Sequence, residues 1–167
     1  MKHVLEREQL VPRPRSEVFR FFSDPANLER LTPKSLRFKI LSSLPVKMRA
    51  GATIDYEITL FGVSLHWRTL IVSFEPETLF VDVQLEGPYR FWRHTHEFVE
   101  TEGGTLVRDR VEYEVPLGGL GEVARRVFVD RQLHSIFGFR RAVIDEILGA
   151  TILPSPASNG RASHESV

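Results

Sequence analysis

The sequence predicts an α+β domain in which one antiparallel sheet packs against a long C-terminal helix. Apolar and polar residues alternate along most of residues 36–115, which is the period of β-strands, and Gly or Pro interrupts the alternation where hairpins need turns. Residues 118–149 instead carry apolar residues three and four apart, which is the period of a helix face. Only two short helical segments precede the strands, so little room remains for a βαβ crossover.

The composition excludes several classes of partner and site. The chain has 167 residues, enough for one domain with a real core, and its 22 basic and 22 acidic residues cancel. We therefore expect no nucleic-acid partner and no attraction to an anionic membrane. We also expect no membrane insertion, because no apolar run reaches about 18 residues, and no signal peptide, because residues 1–7 have no apolar core. Without cysteine there is no disulfide, thiolate zinc site or Cys nucleophile, and we expect a cytoplasmic protein.

The N-terminal third predicts one strand followed by two short helices. The strand spans residues 2–11 and ends at Pro12, and the first helix begins at residue 15 or 16. Asp24 and Pro25 predict the start of the second helix, since Asp accepts hydrogen bonds from free N–H groups and Pro suits the first helical position. This second helix has to stop before Pro33.

The middle of the chain predicts a meander that brings the sheet to six or seven strands. The hairpin at Gly103 and Gly104 is expected to have a two-residue loop, which places Arg110 opposite Glu97 on the solvated face. The strands are expected at residues 36–40, 54–60, 63–74, 79–86, 90–100 and 105–115. The inner face of the last two is expected to carry Trp92, His94, His96 and Phe98 opposite Asp109, Val111, Tyr113 and Val115.

The C-terminal helix is expected to have two faces. From Val129 to Leu148 one apolar stripe is expected to seal the core, and Gly149 is a natural stop. The earlier half has a stripe of Leu120, Val123, Ala124 and Val127, rotated by roughly 100° from the later one, and is expected to face a cavity, its mouth or a partner. We expect residues 1–149 to form a single domain and residues 150–167, rich in Ser and Pro, to be a disordered tail.

Several segments resemble one protein superfamily. They are Asp-Pro-x-Asn-Leu at residues 24–28, Trp-x-His-x-His at 92–96 and Asp-x-Val-x-Tyr at 109–113, together with residues 11–14, 87–89 and 116–118. With the order of elements, they resemble the helix-grip fold of the START-like, Bet v 1-like (SRPBCC) superfamily, which includes polyketide cyclase-like domains. The resemblance covers residues 1–149 and is closest to an uncharacterised bacterial ligand-binding branch. It implies a sheet that curls around the long helix and leaves a cavity for an apolar small molecule, without a metal or other cofactor.

His94, His96 and Asp109 are the candidate polar group of that cavity. Two imidazoles and a carboxylate could form a metal site, but His-x-His on a strand is a weak signal and no third histidine falls on the inner face. A histidine could instead move a proton while Asp109 fixes its tautomer. We favour a third interpretation, in which hydrogen bonds satisfy the buried histidines and give the cavity a polar end.

The orientation of Asp82 is open from the residues alone. Hydrophobicity turns Val81 and Val83 inward, whereas the resemblance turns Asp82 and Gln84 toward the histidines. A three-residue loop at residues 87–89 would pair Asp82 with His94, and we favour this inward orientation. Arg140 falls within the later apolar stripe of the helix and could pair with an inner acid such as Asp82 or Asp109.

The predicted function is binding of an apolar small molecule, such as a lipid, a polyketide or an aromatic compound. One alternative is a cyclase or isomerase that uses His94, His96 and Asp109 as acid–base groups on a ketone, and another is a homodimeric interaction module without a ligand. The candidate ligand-binding residues are Tyr56, Trp67, Asp82, Trp92, His94, His96, Phe98, Asp109, Val111, Tyr113, Leu120, Val123 and Val127.

Overall fold

A computed structural model describes residues 1–60, 62–116 and 128–149. Its elements are β1 (His3–Val11), α1 (Arg15–Phe22), β2 (Lys39–Ile40), β3 (Thr53–Leu60), β4 (Val63–Glu75), β5 (Leu79–Glu86), β6 (Phe91–Thr101), β7 (Gly104–Glu114) and α2 (Asp130–Leu148). The strands form one antiparallel sheet in the order β1-β7-β6-β5-β4-β3-β2, so that the first strand pairs with the last. The predicted α+β class and helix-grip architecture are confirmed.

The main core lies where the two helices meet the sheet. Phe19 and Phe22 of α1 pack edge-to-face against Phe98 of β6, with ring centroids 5.2 and 5.4 Å apart. Ile144 and Leu148 of α2 belong to the same buried cluster. The end of the long helix therefore closes this part of the sheet, as its apolar spacing predicts.

The end of α2 follows the sequence signal. Gly149 adopts the left-handed conformation at φ 63°, which glycine tolerates because it has no Cβ. Residues 117–127, including the stripe of Leu120, Val123 and Val127, lie outside the described residues. The expected tail at residues 150–167 also lies outside them.

The second N-terminal helix is shorter than predicted. The side chain of Asp24 accepts a hydrogen bond from the Ala26 backbone N–H, as a capping residue should, but only a 3-10 turn follows at Pro25–Asn27. The side-chain amide of Asn27 donates instead to the carbonyl of Phe21, which ties the turn back to α1. A second 3-10 turn, at Lys34–Leu36, occupies the start of the predicted strand at residues 36–40.

The register of the β6–β7 hairpin differs from the prediction by two residues. Thr101 pairs with Gly104, so residues 102 and 103 form the turn, and Glu97 lies opposite Arg108 rather than Arg110. An even shift keeps every side chain on its predicted face because the period of a strand is two. Asp109 therefore still faces inward, and it lies directly opposite His96 instead of diagonal to it.

Among the described residues, no helix is long and apolar enough to cross a membrane.

Candidate ligand cavity

A cavity of about 180 Å³ lies between the concave face of the sheet and α2. Its walls come from β3, β4, β5 and β6 on one side and from α2 on the other, and the N-terminal 3-10 turns border it. Most of its lining is aliphatic or aromatic, including Phe22, Leu36, Phe38, Met48, Ile54, Ile58, Leu133, Ile136 and Phe137. Such an apolar enclosure with few polar groups is typical of small-molecule sites.

An aromatic wall covers one side of the cavity. Tyr56 of β3 stacks on Trp67 of β4 with ring centroids 5.7 Å apart, and Trp67 meets Trp92 of β6 edge-on at 5.3 Å. These side chains share one face of the sheet because Tyr56 pairs directly with Trp67 across the two strands. Burial raises the pKa of Tyr56, so its hydroxyl stays neutral and remains within hydrogen-bond distance of Thr69.

Two histidines and two aspartates form the polar end of the cavity. His94 Nε2 lies 2.9 Å from Asp109 Oδ1, and His96 Nε2 lies 3.2 Å from Asp82 Oδ2. The second nitrogen of His96, Nδ1, is 2.9 Å from Asp109 Oδ1 but lacks the geometry of a directed hydrogen bond. The two imidazole centroids are only 3.7 Å apart, so both rings share the same pair of carboxylates.

Strand pairing creates this cluster. Asp82 lies opposite His94 and Asp109 lies opposite His96, in three neighbouring strands of the sheet. Asp82 is thus on the inner face, in the orientation that a three-residue loop at residues 87–89 implies. Gln84 is not part of the cluster, because its side chain exchanges two hydrogen bonds with the backbone of Tyr89.

The two histidines of this cluster have pKa values shifted in opposite directions. Burial and the neighbouring His96 lower the pKa of His94, which favours the neutral ring. Burial also acts to lower the pKa of His96, but its contacts with Asp109 and Asp82 outweigh that effect and raise it. Burial alone would raise the pKa of Asp109, yet the charge of Arg140 and the contacts with both histidines hold it well below its usual range.

Arg140 brings a positive charge to this end of the cavity from α2. Its guanidinium carbon lies 5.1 Å from the centroid of the Phe22 ring, within the range of a cation–π contact. Its charge acts on Asp109, one of the two acids that the sequence suggested for it. Its Nε is buried and has no hydrogen-bond partner within residues 1–60, 62–116 and 128–149, and the same holds for Nε1 of Trp67.

Six of the predicted ligand residues line the cavity: Tyr56, Trp67, Asp82, Trp92, His94 and His96. Asp109 lies behind the histidines and contacts both. Three others are placed in the packed core, Phe98 in the main cluster and Val111 with Tyr113 in a second one beside Leu133. The alternation of apolar and polar residues shows that these residues lie on the inner face of the sheet. It does not distinguish a core residue from one that lines the cavity.

The later half of the long helix lines the cavity, contrary to its predicted role of sealing the core alone. Leu133, Ile136, Phe137 and Arg140 all face it. Their spacing of three, one and three residues is a helical stripe that was visible in the sequence. Its function was missed because the curvature of the sheet, which decides where the helix stands away from the strands, has no local signal.

Comparisons with known proteins identify a matching family and similar solved structures. Residues 11–137 match the model of the family described as "Polyketide cyclase / dehydrase and lipid transport". A protein of Chromobacterium violaceum is similar in structure, with a TM-score of 0.67 at 14% identity over 87% of this chain and 97% of that chain. The Zhui aromatase/cyclase of Streptomyces gives a TM-score of 0.64 at 12% identity over 88% of this chain and 96% of that chain. No curated protein matches the sequence.

Proposed function

The chain belongs to the polyketide cyclase, dehydrase and lipid transport family, and we propose that it binds an apolar small molecule in the cavity between the sheet and α2. The observation that carries the proposal is the combination of an apolar enclosure with a polar end. The aromatic wall of Tyr56, Trp67 and Trp92 supplies contact area, and the cluster of His94, His96, Asp82 and Asp109 supplies orientation.

The cavity volume indicates how much of a ligand the described residues surround. About 180 Å³ is close to the roughly 150 Å³ of apolar cavities that bind benzene-sized molecules. A compact ligand of one or two rings therefore fills this space, whereas a long acyl chain would extend beyond it. Within the three classes predicted from the sequence, an aromatic compound is favoured over an extended lipid.

Two buried donors indicate the chemistry of that ligand. Nε1 of Trp67 and Nε of Arg140 have no acceptor in the described part of the chain, although both residues line the cavity. A buried donor without an acceptor costs about 1–3 kcal/mol, so a ligand that carries acceptor atoms recovers free energy when a side-chain rotation turns either donor toward it. We therefore expect an aromatic ligand with at least one carbonyl, phenol or carboxylate oxygen.

Cavity filling tests the proposal. Native mass spectrometry of the gently purified protein, followed by titration of Trp fluorescence with a panel of naphthols, aromatic ketones and fatty acids, measures binding. Ile136→Trp fills the cavity from α2 and is expected to weaken binding of the best probe by at least about tenfold, or about 1.4 kcal/mol. Phe139→Trp is the matched control, because Phe139 is 37% exposed on the same helix.

The outcomes separate the alternatives. No binding to any member of the panel, or equal binding by both variants, contradicts the proposal. A dimer in light scattering together with an absence of binding supports the interaction module instead.

The enzyme alternative rests on one specific observation. His94 has a lowered pKa, contacts Asp109 through Nε2 and lines the cavity, which is the arrangement of a neutral base held by a carboxylate. A cyclase or isomerase acting on a ketone would lose turnover in His94→Ala and His96→Ala while retaining ligand binding. Loss of binding in both variants, without any turnover in the native protein, favours the binding function.

A further inference from the structure

The nitrogen atoms of the two cavity histidines converge on one carboxylate. His96 Nε2 lies 3.2 Å from Asp82 Oδ2, and His94 Nδ1 lies 4.0 Å from the same oxygen. The potential ligand atoms of these three residues all lie within 4.8 Å of one another. Metal–nitrogen bonds near 2.1 Å place neighbouring ligand atoms about 3.0–3.4 Å apart, so small side-chain rotations bring the three atoms onto one ion.

The opposite nitrogens of both rings face a second carboxylate. Asp109 Oδ1 lies 2.9 Å from His94 Nε2 and 2.9 Å from His96 Nδ1. Histidine ligands of metals commonly place their second nitrogen against a carboxylate, which fixes the ring and its tautomer. Asp109 here hydrogen-bonds to His94 Nε2 and lies beside His96 Nδ1, which leaves His94 Nδ1 and His96 Nε2 as the atoms that face Asp82.

The surroundings suit an ion with open coordination positions. Asp82, His94 and His96 line the cavity, whereas Asp109 does not, so the three-residue side faces the ligand space. The side chains of the two histidines are only 7% and 5% exposed and that of Asp82 is 14% exposed, which limits competition from bulk water. Two imidazoles, one carboxylate and vacant positions are a donor set of first-row transition metals.

The charges permit a divalent ion. With neutral histidines, Asp82 and Asp109 carry two negative charges and Arg140 supplies one positive charge, so the group has a net charge of about −1. A divalent ion brings it to about +1, which an anionic oxygen of a cavity ligand can neutralise. A proton on His96 competes with the ion, as for any histidine ligand.

We propose that Asp82, His94 and His96 bind a divalent first-row transition-metal ion at the polar end of the cavity, with Asp109 orienting both imidazoles. The sequence alone favours a metal-free polar end and offers Asp109 as the third ligand of the alternative metal site. The structure assigns that role to Asp82, because its carboxylate lies on the cavity side of the rings. The proposal does not depend on which apolar molecule the cavity binds.

Direct metal binding tests it. Full-length protein treated with EDTA and then freed of chelator is titrated with CoCl2 near pH 8, and the visible spectrum and calorimetry measure binding. We expect one ion per chain with micromolar or tighter affinity. Asp82→Asn, His94→Ala and His96→Ala are each expected to weaken binding at least about 100-fold, and Asp109→Asn about 10- to 100-fold. His134→Ala is the control, since His134 is exposed on α2 and is expected to bind normally.

Imidazole NMR on the unmodified protein makes the test independent of variant folding. Addition of ZnCl2 is expected to shift Nδ1 of one buried histidine and Nε2 of the other, while the four remaining histidines keep their signals. Binding weaker than about millimolar, which is no stronger than about 4 kcal/mol, overturns the proposal. So does binding that His134→Ala alone abolishes, or a spectrum in which neither buried ring responds.

Discussion

Replacing Asp109 tests whether the polar end of the cavity is held together by this one buried carboxylate. Asp109→Asn keeps the size of the side chain and removes its charge. In the native protein the carboxylate contacts both histidines and balances Arg140. The asparagine leaves Arg140 and any proton on His96 without their main buried counter-charge.

The expected loss of stability is large. Removing one partner of a buried ion pair costs about 3–5 kcal/mol, and the retained amide oxygen, which can still accept from His94, places this change near 3 kcal/mol. For a domain of this size about 2–4 °C is lost per kcal/mol, so the melting temperature is expected to fall by about 6–12 °C.

The matched control is Asp55→Asn on the solvated part of the same sheet. Asp55 also contacts a histidine and an arginine, with Oδ1 3.0 Å from His66 Nε2 and 2.8 Å from Arg68 Nε. Its partners are 39% and 42% exposed, so solvent screens the interaction and the loss should stay below about 1 kcal/mol.

Urea denaturation followed by circular dichroism, at pH 7 and in EDTA, measures both variants. Equal losses in Asp109→Asn and Asp55→Asn would refute the reasoning, because they would mean that burial does not strengthen the cluster. An unchanged titration of His96 in the Asp109 variant would refute it as well.

Three further outcomes follow from the same structure. In EDTA, the raised pKa of His96 stabilises the folded protein below about pH 6.5, and this stabilisation is lost as the pH rises through the folded-state pKa. In urea titrations at a series of pH values, His96→Gln should therefore show a smaller loss of unfolding free energy on the alkaline side. Gly138→Ala should stabilise the protein by about 0.5–1 kcal/mol, since Gly138 lies within α2 and an added Cβ would meet no atom within 4 Å. Gly104→Ala should destabilise it by more than about 2 kcal/mol in thermal unfolding, because Gly104 has φ +128° and a Cβ there would lie 2.7 Å from the Pro12 Cα and clash with the Val11 carbonyl.

The faces of the strands were predictable because they depend only on a period of two. His94, His96 and Asp109 share the inner face in the structure, as alternation along residues 90–115 predicts. The same rule holds whether the hairpin turn lies at residues 102–103 or 103–104. Local pattern therefore determines which residues can meet, within a shift of two positions.

The register itself was not predictable from charge pairing. Glu97 meets Arg108 in the structure, with Nη1 and Oε2 3.4 Å apart, and it would meet Arg110 in the predicted register. Both arrangements pair opposite charges on a solvated face, so their difference in free energy is a few tenths of a kcal/mol. In the observed register Gly104 also lies against Val11 and Pro12, a contact between residues far apart in the sequence that a local charge pattern does not contain.

Asp82 shows where hydrophobic patterning and function disagree. Alternation along β5 favours Val81 and Val83 as the inner residues, yet Phe80 and Asp82 are the ones that line the cavity. Val81 is also buried, at 4% exposure, so residues on both faces of this strand are buried at that point. The local sequence therefore does not reveal that Asp82 faces the cavity. Violations of the simplest pattern are expected at functional sites, because a cavity needs fixed polar groups that a core does not. The carboxylate that hydrophobicity alone assigns to solvent is therefore the one that completes the polar end, and it is also the ligand on which the proposed metal site depends.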